Sequence, residues 1–532
     1  MSNPVASVGQ PATAGLRATA VRLFLTCWIV YTLHFASNTV REIYLALAIG
    51  DRFSFRVDEY QGLHPDLFEK PGYGWHINSN PGVSMVAAVP YALLRPAIDA
   101  AVRRVNQARA SSGVREPPVY ESPWPMAREF YAEAWRRGLD VKFGLAAFVM
   151  QSLAMAPSSA GGVVLMFLLL ARLFGSQTTA LWLALLYGFA TPVFFRTGYL
   201  NHNLMLGHFV FFGLLLVWNP AGMFSWSLPT RTFLAGATGG AAVLFDYSGV
   251  VFLLGLFLYA VLRRGPDVEA TPVRTALWYA LGAAGPILLL WFYQWRSFGH
   301  PFYPAQHWMP PVAWKDQGYH GMGTPQPDLF VALGFDYRFG LFPSGPLFLF
   351  ALAGPWFNRR GRRLLAGREM AVLAGLSLGL WLFASGIHYT RLQFNTGIRY
   401  LAPAFPLLFV LAAPALARLP RRIVYFCSVA ALAHSWCLAM YRDVERGLGL
   451  AEPLVRVLTG GFQLPVLTVL SRMKGAYGDY FAEGVSPLPL FALAAAAIYG
   501  LWRWAPGSPP LEVGSDAAPV ARASRSGPPT LC

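Results

Sequence analysis

Charge is what this chain has least of. Only 13% of its 532 residues are Asp, Glu, Lys or Arg, against about a quarter in soluble domains. Lysine is almost missing: Lys70, Lys142, Lys315 and Lys474 are the only four among 42 basic residues, an arginine bias typical of GC-rich bacterial genomes. Cysteine is equally sparse. Cys27, Cys427 and Cys437 lie in apolar runs and Cys532 ends the chain, which excludes a zinc cluster and offers no obvious disulfide. A Gly-rich nucleotide loop is missing, as is any internal repeat. The short alternating segments of a β-barrel are also missing. What remains is apolar. Hydrophobic residues make up 55%, the mean hydropathy is +0.42, and apolar runs recur near the ~20 residues that carry a helix across a bilayer. The net charge of +16 does not point to nucleic acid, because it is split into short clusters between apolar runs, as topology signals are.

These runs predict an all-α polytopic membrane protein with about a dozen spans: 18–36, 143–172, 179–198, 202–218, 230–245, 249–263, 275–294, 340–357, 369–388, 400–417, 423–441 and 486–503. With the N-terminus inside, three short connections fall on the cytoplasmic side. They carry Arg263, Arg264 and Arg274; Arg359, Arg360, Arg362, Arg363 and Arg368; and Arg418, Arg421 and Arg422, in accord with the positive-inside rule. The first run follows Arg17 and Arg22 without a small-residue cleavage site, and is expected to stay as a span rather than leave as a signal peptide. The segment 81–94 is apolar but only ~14 residues long, short of a span, and Pro81, Pro90 and Pro96 punctuate it. It is expected to lie on the outer surface. Residues 37–142 then form one long extracytoplasmic loop, far more than a pore or simple carrier needs. The expected division is a cytoplasmic disordered N-terminus (1–17), a catalytic membrane module (18–422), a C-terminal pair of spans (423–503) with an external loop at 442–485, and a disordered cytoplasmic tail (504–532).

Ionisable groups inside a bilayer are costly and usually functional, and here they gather at the expected outer edge. Asn38, Arg41 and Glu42 follow the first span, and Asp58, Glu59, His64, Asp66, Glu69, Lys70 and His76 lie further into the loop. His202 begins the fourth span, Asp246 fills a short turn, and Asp336, Arg338, His388, Arg391 and Arg399 flank later spans. Each has a plainer reading. Glu42 can simply pair with Arg41, Asp58 and Glu59 can be solvated loop acids, Asp246 can belong to a structural ion pair, and His202 can be a satisfied interface histidine. His202 and His208 are six residues apart, on different helix faces, and do not make a metal pair. His34 and His434 fit interhelical hydrogen bonds. Trp291, Phe292, Tyr293, Trp295, Phe302, Tyr303 and Trp308 fit an interfacial belt, with sugar stacking as the functional alternative.

Several stretches resemble the GT-C superfamily of polyprenyl-phosphate-dependent glycosyltransferases: the bacterial Rgt-type proteins and, more distantly, aminoarabinose transferases and protein O-mannosyltransferases. They are 42–50 just past the first span, Arg56-Val-Asp58-Glu59-Tyr60, Trp75 to Met85 with its Pro81-Gly82 step, Gly198 to His202, Phe245-Asp246-Tyr247, Phe298 to Phe302, Arg338 to Pro343 and Gly397 to Pro403. The resemblance runs from about residue 19 to 422. Two departures stand out: Arg41-Glu42 where many relatives have Asp-Glu, and Asn80-Pro81-Gly82 where a Pro-Pro step is usual.

The resemblance implies a GT-C-like fold with juxtamembrane helices in the first loop. It also implies transfer of a sugar, with inversion, from a polyprenyl-phosphate donor to an extracytoplasmic glycan, lipid or protein acceptor at the bacterial inner membrane. A carboxylate, Glu42 or Asp58, would take the acceptor's proton. Arg338 and Arg399 would hold the donor phosphate through paired donors, and Glu59, Asp66, His76, His202 and Asp246 would bind or orient the substrates. No metal ligand set is assigned, although a divalent metal is compatible with the chemistry, and the lipid-linked donor is the only small partner implied. A transporter or lipid flippase is the rival reading, but it would place charge near the midplane and show repeated halves. An inactive glycosyltransferase-like scaffold is the third.

Overall fold

A computed structural model describes residues 13–503 except 38, 114–115, 264–270, 314, 316, 361–362, 392–396, 442–447, 476–480 and 482–484. Asn38, Arg264, Arg362, Cys532 and the outer parts of both termini lie outside the described residues.

The chain is almost entirely helical, as apolar backbone in lipid must satisfy its own hydrogen bonds. α1 (Thr13–Leu33) is followed by the short amphipathic α2 (Arg41–Arg52). A hairpin of β1 (Leu67–Lys70) and β2 (Gly74–Ile77) comes next, paired antiparallel with Phe68 opposite His76. α3 (Gly82–Ser112) and α4 (Pro125–Arg136) complete the first loop. α5 (Asp140–Met150) runs through a π turn at Gln151–Met155 into α6 (Ala156–Phe174). α7 (Gln177–Phe189), α8 (Val193–Arg196), α9 (His202–Trp218), α10 (Leu228–Phe245), α11 (Gly249–Leu262) and α12 (Pro272–Phe298) build the centre. The short α13 (Ala305–Trp308), α14 (Pro327–Phe335) and α15 (Leu341–Ser344) lead into α16 (Phe350–Arg359), α17 (Gly367–Ser385), α18 (Phe405–Arg418) and α19 (Arg421–Met440). α20 (Glu452–Gly460), α21 (Pro465–Ser471) and α22 (Leu488–Arg503) close the described chain. β3 (Val119–Tyr120) pairs with β4 (Met473–Lys474), tying the first loop to the C-terminal part.

Helix occupies part of all twelve expected segments, but by length and apolarity six helices among the described residues qualify to cross a membrane, or seven with the bent pair α20–α21. Proline accounts for part of the difference. Pro192 separates α7 from α8, and Pro346 interrupts the chain between α15 and α16, since proline lacks the N–H that the helix ladder needs.

One expectation changes in size. The apolar segment at 81–94 is the start of a 31-residue helix, α3, which passes through Pro90 and Pro96 and itself meets the length and apolarity of a span. Polar ties carry it past the prolines: Arg95 bonds to the Asp51 carbonyl, and Arg109 grips Asp140 through two bonds of 2.9 and 2.7 Å. One face packs on α2, where the Tyr91 hydroxyl donates to Asp51. Val89 and Leu93 stay exposed on the other face, as lipid contact permits.

Arginines cap helix ends on the expected cytoplasmic side. Arg231 and Arg263 donate to the Leu216 and Val217 carbonyls at the end of α9, and Arg418 donates to the Phe357 carbonyl at the end of α16. The Leu216 and Val217 carbonyls have no intrahelical partner, the Phe357 carbonyl also accepts the Arg360 amide at 3.1 Å, and a cation at each of these helix ends meets the negative end of the dipole.

Small residues let α10 and α12 touch backbone to backbone, the usual way helices pack in lipid. A Cβ on Gly282 would fall 1.9 Å from the Phe233 carbonyl oxygen, whereas one on Gly285 would meet nothing within 4 Å. Gly282→Val should therefore destabilise by about 1–3 kcal/mol, the range for overpacking. The check is the thermal midpoint of the detergent-solubilised protein, which should drop for Gly282→Val and hold for Gly285→Ala.

Candidate active site

Glu42 lies in the first turn of α2, where a carboxylate favours the positive end of the helix dipole, and it is buried. The Ser84 hydroxyl donates to its backbone carbonyl at 2.8 Å, fixing α2 on α3. Arg41 is the hub beside it. Its guanidinium lies 3.2 Å from Glu42 Oε1 and 2.9 Å from Asp66 Oδ2, and donates to Asn78 Oδ1 at 2.9 Å. Asn78 Nδ2 returns a 2.9 Å bond to Asp66 Oδ1. The β1–β2 hairpin makes this possible, because Asp66 and Asn78 sit at its open end, where the Asn78 amide donates to the Asp66 carbonyl.

The Asn80-Pro81-Gly82 step carries the chain from the hairpin to α10. Asn80 Nδ2 donates to the Val243 carbonyl at 2.7 Å. A Cβ on Gly82 would fall 2.4 Å from the Phe245 ring, so only glycine allows this approach. Asp246 follows as the residue that ends α10, its Oδ1 accepting the Ser248 amide at 2.8 Å.

His202 joins the two sides. It opens α9, whose first turn Asn201 caps by accepting the Leu204 amide. Its Nδ1 is 2.9 Å from Glu42 Oε1, and its Nε2 is 3.1 Å from Asn203 Nδ2 and 3.7 Å from Asp246 Oδ2. On the far side Arg399 lies over the Tyr400 ring at 4.5 Å, and the Tyr389 and Tyr400 rings are 6.0 Å apart. Arg399 is close enough to act electrostatically on Asp66, and Arg41 feels Tyr400.

Burial by itself would raise the Glu42 carboxyl, but the Arg41 charge and the hydrogen-bonded His202 outweigh it and hold Glu42 well below the usual carboxylate range. Asp66 is lowered in the same way, burial being overcome by Arg41, then His64 and Arg399. An ionised Glu42 can only accept hydrogen bonds. Nδ1 of His202 therefore carries the hydrogen, and in the neutral ring Nε2 keeps its lone pair toward Asn203 and Asp246. Among the described residues no group of three or more His, Cys, Asp or Glu is arranged to hold a metal ion.

No known protein family and no curated protein matches the chain at a significant level. Among solved structures, it is similar to ArnT from Cupriavidus metallidurans bound to undecaprenyl phosphate, at 15% identity and a TM-score of 0.49, covering 92% of this chain and 76% of that one. The apo form of the same ArnT gives 16% identity and a TM-score of 0.47 over the same shares. The oligosaccharyltransferase of Archaeoglobus fulgidus gives 12% identity and a TM-score of 0.38, covering 86% of this chain and 59% of that one.

Of the residues singled out from sequence, Glu42, Asp66, His202 and Asp246 meet in one cluster, with Arg399 at its border. Four others are bonded elsewhere. Asp58 accepts from the Trp75 amide at 2.8 Å and from Arg56 at 2.9 Å. Glu59 pairs with Arg52, and the buried His76 has its ring nitrogens 3.1 and 3.2 Å from the Phe55 and Tyr73 carbonyl oxygens. Arg338 extends into solvent and chelates Asp336. Sequence reasoning left out Asn78, Asn203, Tyr389 and Arg196. Asparagine and tyrosine in a loop carry no periodic or charge signal, whereas a lone arginine inside the apolar run 179–198 was a signal to follow.

The depressed Glu42 and Asp66 set an acid limit. A carboxyl whose folded value lies below its ordinary one, about 4, contributes stability above that value and loses it as pH falls through the folded value. The wild-type thermal midpoint should decline from about pH 4 downward, and Glu42→Gln should decline less steeply. Parallel pH curves for the two proteins would show that Glu42 is not held in this state.

Proposed function

We propose that the chain is a GT-C-type glycosyltransferase that transfers a sugar, with inversion, from a polyprenyl-phosphate donor to the hydroxyl of an extracytoplasmic acceptor. One observation carries this reading. Segments far apart in sequence that resemble that superfamily, around Glu42, Asn78, His202, Asp246 and Arg399, converge on one polar cluster at the end of an apolar helix bundle. We place that end on the outer face of a bacterial inner membrane, with both termini in the cytoplasm.

The Glu42–His202 pair supplies the base. The acceptor hydroxyl gives its proton to His202 Nε2 as its oxygen bonds to the anomeric carbon, and Glu42 steadies the imidazolium through Nδ1, the logic of an acid–histidine pair. The bond from the anomeric carbon to the phosphate oxygen breaks in the same step, and the electron pair leaves with the polyprenyl phosphate. Arg399 stabilises that developing phosphate charge, for which a guanidinium's paired donors are suited. Asp246, one-third exposed, orients a sugar hydroxyl. Asp58, tied to Arg56 and to the backbone at Trp75, supports the hairpin rather than the chemistry.

Sugar transfer in membrane vesicles tests the assignment, with the product identified by comparing the envelope glycans of a deletion strain and its parent. Glu42→Gln and His202→Gln should each reduce transfer by about 100-fold or more, the scale of a lost general base, and the double variant should lose little further. Asp58→Asn should turn over close to wild type. A loss in Asp58→Asn as severe as that in Glu42→Gln would move the base to Asp58.

A further inference from the structure

Arg196 ends α8 with its side chain completely buried, among the largest fully buried side chains of the described residues. Its Nε donates to the Ile398 carbonyl at 3.1 Å, Nη2 donates to the Gly397 carbonyl, and Nη1 to the Tyr199 hydroxyl. No carboxylate is among these partners. A guanidinium buried with neutral acceptors alone is costly, and the three acceptors are spread as only a planar fork can reach them.

The segment it grips is held from the other side as well. Ser344 Oγ accepts the Ile398 amide at 3.0 Å. Gly397 has φ of +71°, in the left-handed region, and a Cβ there would fall 2.9 Å from Ser344 Oγ and 3.3 Å from the Phe195 ring. Carbonyls, amide and turn geometry are thus set before the chain reaches Arg399, whose own carbonyl accepts the Ala402 amide at 3.0 Å on the way into α18. Arg399 and Tyr400 have little freedom left in their main chain, and these two residues lie beside the Tyr389 ring, 6.0 Å from that of Tyr400, and within electrostatic reach of Asp66 and Arg41.

We infer that Arg196 is a positioning residue: by clamping the Gly397–Ile398 turn it aims Arg399 at the phosphate of the lipid donor. The part concerning phosphate rests on the proposed function, and the part concerning the clamp does not. Arg196→Lys keeps the charge but cannot reach all three acceptors. Hydrogen exchange of the purified protein in detergent should rise about tenfold over residues 397–401, the size expected for losing one such buried contact, with α9 and α10 unchanged. Affinity for undecaprenyl phosphate should fall by a similar factor, with kcat affected less than KM. In an Arg399→Ala background Arg196→Lys should add nothing to the loss of undecaprenyl phosphate affinity, because a residue acting through another is not additive with it. Unchanged exchange at 397–401 overturns the clamp, and additive losses overturn its action through Arg399. If Arg196→Lys does not fold, Ser344→Ala loosens the same turn without touching the buried charge, and should move exchange and affinity in the same direction. Wild-type protein that binds no undecaprenyl phosphate, with exchange at 397–401 still sensitive to Arg196, would refute the proposed function and the aim at phosphate while leaving the clamp standing.

Discussion

Arg41 sits among Glu42, Asp66 and Asn78, and the polar end of the helix bundle is organised around that contact. Charges removed from water must be paired or they unfold the site, and breaking one partner strands the others. Here the pairing spans the start of α2 and the open end of the β1–β2 hairpin, and it continues through His202 to the turn that holds Asp246. Segments separated by more than 150 residues are thereby locked together, because each ionised group depends on the next. A site built in this way is present as a whole or not at all.

The two ends of the helix bundle use arginine for different purposes. At one end Arg231 and Arg263 finish α9 by binding the Leu216 and Val217 carbonyls, which lack intrahelical partners, and Arg418 joins the Arg360 amide on the Phe357 carbonyl. At the other end Arg41 neutralises acids, while Arg196 grips backbone so that a neighbouring arginine is placed. One residue type serves all three tasks because its planar fork can satisfy several oxygens at once and keeps its charge when buried.

The departures at Arg41-Glu42 and Asn80-Pro81-Gly82 become intelligible in three dimensions. Arginine before Glu42 supplies the cation that keeps the buried Glu42 and the half-buried Asp66 ionised. Asn80 supplies a side-chain amide for the Val243 carbonyl, and Gly82 gives up a side chain where Phe245 packs. Both steps bring the first loop against α10 just before Asp246.

The sequence by itself determined the class of molecule. Apolar runs of helical length, arginines between them and a polar first loop dictate a multispan helical protein, because lipid leaves the backbone no other way to satisfy its hydrogen bonds. The same patterning singled out Glu42, Asp66, His202, Asp246 and Arg399 as ionisable groups beside apolar runs. Only the tertiary structure decided which acids share a cluster. Asp58 and Asp66 are alike in sequence, both acids in the same loop, yet the hairpin register turns Asp66 toward Arg41 while Asp58 caps the Trp75 amide. It also decided the extent of α3, set by contacts to Asp51 and Asp140 rather than by its prolines, and the role of Arg196, whose partners lie some 200 residues away. Local patterning records how each segment meets lipid or water. It holds no record of which distant segment will supply the opposite charge.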